Sequence, residues 1–255
     1  MRGSVFEEDR YKRSRLIFRP ISILYFMILF LGMMIFIPSL FWFIGPLFTY
    51  ALGLPWEVAS AMFFLSLMGS FINIPIMEVV SKRPVIIYRG SFFGTTWIIP
   101  ELGWKREKTV IALNVGGALV PILISTYLLL YIIPLREIDP TLTYLKVLLA
   151  LIFVTFAVNR VARPVKGLGI ATPGFLPPLI TALISYLLYP LLIPSNPCVI
   201  AYISGTMGTL LGADLLNLKK IPELGAPIAS IGGAGTFDGI YITGVVSIAL
   251  VLLLH

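Results

Sequence analysis

From Ile21 to Ile44 the chain runs through 24 residues without one charged side chain. A helix of about 20 apolar residues is what a bilayer core requires for a crossing. Similar runs, each with at most one or two charges, start near Trp56, Thr109, Thr141, Pro197 and Thr236. Overall charge is low, at 12% of residues, against about 25% in soluble domains. The pattern predicts an all-α polytopic membrane protein of about seven transmembrane helices.

Composition removes several chemistries. The single Cys198 excludes an intrachain disulfide and a thiolate cluster, and the one histidine, His255, leaves no metal site or Ser-His-Asp triad to build. No metal or cofactor is expected. What remains are carboxylates, hydroxyls, amides and backbone. The net charge of +7 follows from topology and does not point to nucleic acid.

In chain order, residues 1–20 form a polar, basic segment. Expected helices span about 21–44, 56–77, 109–133, 141–159, 175–189, 197–218 and 236–254, in one transmembrane domain, 21–255. The first run is too long for a signal-peptide core and reads as a retained helix. Loop 78–108 carries PVIIY and TTWII pieces among its basic residues. It reads either as an ordinary large loop or as a hairpin lying on the headgroups, where aromatic residues are at home. Segments near 163–178 and 222–237 are rich in Gly and Pro, so helix is broken or re-entrant there. With the N-terminus cytoplasmic, 17 of the 19 basic residues fall on the inner side, as the positive-inside rule requires. Lys146 then lies inside a helix near its outer end, where it can snorkel. The expected location is the plasma membrane of a prokaryote.

Two acids fall inside the last two apolar runs, Asp214 after GTLLGA and Asp238 after GGAGTF. An ionisable group at membrane depth is costly and is a functional-site candidate by default. Counting helical rise at about 1.5 Å per residue, Asp214, Asn73 and Asn114 lie about 7.5–9 Å from the inner boundary, with Asp238 near the same level. As a regular helix, Asp214 shares a face with Leu210, Leu211 and Asn217. Ser204, Gly208 and Gly212 form a small-residue seam of the kind that packs helices closely. Tyr241, three residues after Asp238, either donates to a carboxylate or fills a packing gap. Asn73 and Asn114 either bridge helices or support the acids, and the backbone around Gly235 is free to meet an anion or a water.

A pair of carboxylates can share one proton, take a proton from water and give one to a carbonyl oxygen. That is peptide hydrolysis in a membrane, with Asp214 and Asp238 as the catalytic pair and a transmembrane peptide as substrate. The same pair can instead bind and release H⁺ or Na⁺ in a coupled transporter or channel. A non-catalytic, lipid-facing scaffold is the third reading.

The segment GTFDGIYITG, 235–244, resembles the GxGD motif region of intramembrane aspartyl proteases of the presenilin and signal-peptide-peptidase group. Gly235 and Asp238 match its first glycine and its aspartate, whereas Phe237 stands at the second glycine. The resemblance implies a catalytic role for Asp238, with Asp214 as the preceding acid. Over most of its length, through GSFINIPI, NVGGALVP, LGADLLNL and SIGGAGTFDGIYITG, the chain resembles an uncharacterised prokaryotic multipass family, which implies a membrane fold and no activity.

Overall fold

Helices begin where the sequence supplies caps. The Asp139 carboxylate accepts the Leu142 N–H at 3.0 Å and opens α4 (Pro140–Val161). Asn196 opens α6 (Pro197–Thr209), its Oδ1 accepting the Cys198 and Val199 N–H groups at 2.9 and 3.3 Å. Both helices carry proline at the first position, where its missing N–H is no loss.

The computed structural model describes residues 17–18, 27, 30, 38–39, 41–92, 95–165, 169–224, 226–233 and 238–255. Most of the expected N-terminal segment and first helix, and Gly235, lie outside the described residues. The remaining helices are α1 (Phe41–Ala51), α2 (Trp56–Gly69), α3 (Val115–Arg136), α5 (Leu176–Leu188) and α7 (Gly239–Leu254). Three described stretches are long and apolar enough to cross a membrane: Val115–Arg136, Pro140–Val161 and Pro197–Ile221. The other helices are apolar but shorter. These features are consistent with a membrane protein.

The stretch that contains α6 is the central post. Its apolar window is 72% buried, against 44% and 33% for the other two spans. Val199, Ile200, Ala201, Tyr202 and Ile203 are all enclosed, with α4, α5 and α7 packed around them. The small-residue seam lies against α4: a Cβ at Gly208 would stand 2.7 Å from Val154 Cγ1.

The all-α expectation is corrected by a four-stranded sheet of order β1-β2-β3-β6, made of Ile17–Phe18, Ile72–Phe92, Thr95–Asn114 and Ile228–Ile231. Strands β2 and β3 form a long antiparallel hairpin from Asn73↔Asn114 to Phe92↔Thr95, and β6 runs parallel to β3 with Val110↔Ile228 and Leu113↔Ile231. Hence the helix expected to 77 stops at Gly69, and the one expected from 109 starts at Val115. The reason is residue type. Ile72, Ile74, Ile76, Val79 and Val80, with Thr109, Val110 and Ile111 opposite, are β-branched and suit strands, although they extend the apolar runs.

The 163–178 stretch is a two-stranded hairpin, β4 (Arg163–Val165) with β5 (Gly169–Ala171), followed by α5 with Pro177 and Pro178 in its first turn. Lys146 does not snorkel. It is 2% exposed and donates to Tyr189 O at 2.7 Å, Ile193 O at 2.6 Å and Ser195 Oγ at 3.0 Å. The loop after α5 supplies carbonyls that replace water around the ammonium, so the side chain has no need to reach the surface.

Candidate functional site

The site begins with a change of helix type. After Thr209, residues Leu210–Asp214 form a π turn, and Leu215–Leu224 tighten into 3-10 geometry. A π turn holds one residue more than an α turn. Relative to an unbroken α-helix, Asp214 is thereby rotated by about 100° about the axis. In 3-10 geometry residues three apart eclipse, so Asn217 stays on the side of Asp214. Asn217 turns back, donating to Gly212 O at 3.1 Å and Ala213 O at 2.9 Å, and accepting from Lys220 Nζ at 2.7 Å. Asn159 of α4 also donates to Gly212 O, at 2.9 Å. Carbonyls loosened by the irregular turn are thus satisfied by side chains, as they must be inside a bundle.

Asp238 is the N-cap of α7, its Oδ2 accepting the Ile240 N–H at 3.3 Å, and the residue is 9% exposed. Asp214 accepts a hydrogen bond from the Gly232 backbone N–H and lies within electrostatic reach of Asp238. The irregular end of the α6 span and the start of α7 thus place two acids, 24 residues apart in sequence, within electrostatic reach of one another.

A glycine pair makes that closeness possible. Gly232 has φ +69, in the left-handed region. Its carbonyl lies over Gly117 in the first turn of α3, where a Cβ would overlap the oxygen and stand 2.9 Å from Asp238 Cβ. Only a residue without a side chain at 117 lets the three backbones approach.

Asn73 and Asn114 meet each other rather than joining from two helices at matched depth. Asn114 ends β3 and caps α3, its Oδ1 accepting the Gly117 N–H at 2.8 Å. Its Nδ2 donates to Ser70 O at 2.8 Å and Asn73 Oδ1 at 3.2 Å. Ser230 on β6 donates to the same Asn73 Oδ1. This cluster ties the sheet to the glycine pair and so to the loop ahead of Asp238. Ser230 is the residue that sequence reasoning missed. Its position two residues before Gly232 was the available signal, but nothing local shows that β6 folds against β3.

Tyr241, one turn into α7, is 2% exposed and packs in the main apolar core. It interacts electrostatically with Tyr202 of α6. Along α6, Tyr202, Thr206 and Thr209 follow one face, and Thr206 Oγ1 pairs with Ser125 Oγ of α3 at 2.8 Å. The Tyr202 and Thr209 hydroxyls have no hydrogen-bond partner among the described residues. Among those residues, too, no group of three or more His, Cys, Asp or Glu could hold a metal ion.

Residues 67–250 match the family model described as "Protein of unknown function (DUF1614)". The chain belongs to this family. The matched region holds both acids, the paired asparagines and Ser230, and so covers the whole DUF1614 site described above. Neither a curated protein nor a solved structure matches the chain.

Proposed function

We propose that this DUF1614 chain is an intramembrane hydrolase in which Asp214 and Asp238 form an acid/base pair. The observation that carries the reading is that Asp214, bonded to the Gly232 N–H, lies within electrostatic reach of Asp238, the N-cap of α7. A helix N-terminus favours negative charge, so Asp238 takes the ionised role and removes a proton from the attacking water. Asp214 supplies a proton to the substrate carbonyl oxygen, and the tetrahedral intermediate collapses with C–N cleavage as a proton returns to the leaving nitrogen. The substrate class is a transmembrane peptide. Asn73, Asn114 and Ser230 position the loop, while Asn217 and Asn159 support the π turn.

The topology that goes with this reading is seven crossings with a cytoplasmic N-terminus in a prokaryotic plasma membrane. Its support is the distribution of basic residues and the apolar runs of the sequence, three of which form described stretches long enough to cross. The test is cleavage of a panel of transmembrane peptides by the reconstituted protein, alongside Asp214→Asn and Asp238→Asn. Cleavage that depends on both acids supports the hydrolase.

A second reading has its own observation. The Tyr202–Thr206–Thr209 face runs along α6, and its Tyr202 and Thr209 hydroxyls have no hydrogen-bond partner among the described residues, which suits a hydrated path. On this reading the acids couple H⁺ or Na⁺ movement. Ion flux in proteoliposomes that is lost with either Asn variant, without peptide cleavage, selects it over hydrolysis. Indifference of both measurements to both variants selects the scaffold.

A further inference from the structure

Most glycines around the acid pair are there for want of room. At Gly117, Gly212, Gly232 and Gly233 a Cβ would press into a neighbouring atom. Gly239, the first residue of α7 and next in sequence to Asp238, is different. A Cβ there would meet one atom among the described residues, Thr172 Oγ1 at 3.6 Å, which is ordinary van der Waals contact. Alanine is also the better helix former. Neither packing nor helix propensity therefore explains this glycine, and what its missing side chain leaves is open space beside Asp238.

Thr172 stands across that space. It follows β5, which packs on both the π turn ending in Asp214 and the 3-10 segment beyond it. Ile170 packs against the two apolar clusters that hold Ala213 and Ile240. One short stretch, 170–172, thus runs from the element that carries one acid to the element that carries the other. Thr172 is half-buried, and its hydroxyl makes no hydrogen bond among the described residues. A Cβ at Gly174 would meet nothing within 4 Å, and Phe175 is 61% exposed, so the chain stays uncrowded as it leaves Thr172 for α5.

We infer that Thr172 is a substrate-binding residue and that Gly239 keeps the slot beside it clear for the substrate backbone. The inference rests on the hydrolase reading for its substrate, a transmembrane peptide. A peptide lying between Thr172 and Gly239 offers main-chain carbonyls, and the Thr172 hydroxyl donates to one of them. That carbonyl is not the one attacked, since the acids serve the scissile bond. The bond is therefore equally strong in the ground state and the transition state, and its loss is read in KM rather than in kcat.

The experiment has a binding arm and a kinetic arm, both with the full chain in vesicles. For binding, Thr172→Cys or the exposed control Arg163→Cys is placed in a Cys198→Ala, Asp214→Asn background, so that bound peptide is not turned over. Modification by N-ethylmaleimide is timed with and without a Leu/Ala-rich transmembrane peptide in the same vesicles. The peptide is expected to slow modification at 172 about tenfold when present at about ten times its dissociation constant, and to leave 163 unchanged. In the kinetic arm, Thr172→Val raises KM about fivefold at unchanged kcat, the worth of one hydrogen bond, while Thr172→Ser keeps the wild-type KM. Gly239→Ala unfolds at the wild-type temperature and raises KM as well. Equal modification at 172 with and without the peptide overturns the inference, whether or not the wild type cleaves. So does a wild-type KM in Thr172→Val. Protection at 172 without cleavage by the wild type supports the slot as a peptide-binding site and tells against the hydrolase instead.

Discussion

Asp238 has two tasks that one substitution separates. As N-cap it holds the first turn of α7, and as an acid it lies within electrostatic reach of Asp214. Asparagine caps about as well as aspartate, whereas alanine costs about 1 kcal/mol. Asp238→Asn is therefore expected to leave thermal stability in detergent close to wild type while lowering peptide cleavage at least about a hundredfold, the usual scale of a lost general acid or base. Because the reaction needs one ionised and one protonated carboxyl, the intact protein is expected to show a bell-shaped dependence of cleavage on pH, whose limbs belong to the pair. Lys146 acts differently. Tyr189 O also accepts the Ser195 N–H, and Ser195 Oγ the Thr143 hydroxyl, so Lys146→Ala removes three bonds to a buried charge and takes from Ile193 O its donor. About 3 kcal/mol of stability is expected to be lost, measured as a lower unfolding midpoint in mixed micelles. Neither Lys146's burial nor its partners could be read from the sequence, since they come from a loop more than forty residues later.

At the scale of elements, the π turn is what aims Asp214. Deleting Ala213 removes the extra residue and returns the segment to α-helical phase, rotating Asp214 by about 100°. Cysteines at 214 and 238 in the Cys198→Ala background are expected to be joined by a short bis-maleimide, and the deletion is expected to abolish that product. The glycine contact predicts a milder lesion of the same kind. Gly117→Ala pushes a Cβ into the Gly232 carbonyl and toward Asp238, at a cost of about 1–3 kcal/mol for overpacking, and is expected to lower cleavage without displacing α6 from the membrane. The apolar runs made the long helices legible: α4 at 140–161 lies close to the 141–159 read from periodicity. The acids were legible for the same reason, because charge is rare in such runs. The sheet was not. INIPIMEVV and TVIALN extend the helical runs by hydropathy alone, and only their β-branching favours strands. Nor does spacing announce a π turn, which changes the helical phase leading up to Asp214.

The whole molecule is a helical bundle around the α6 span, with a sheet whose base is tied into it through Asn73, Asn114 and Ser230. The bundle brings one acid from each of its last two long segments, and the sheet fixes the loop between them. Coupling between the acids is the consequence that separates a site from two isolated charges. The deciding measurement is cleavage of a transmembrane peptide by the reconstituted protein with Asp214→Asn, Asp238→Asn and both together. Groups that act as one unit are strongly non-additive. Each single variant is expected to lose nearly all cleavage, with the double variant no worse than either. Full activity in one single variant, or losses that multiply in the double, would contradict that coupling.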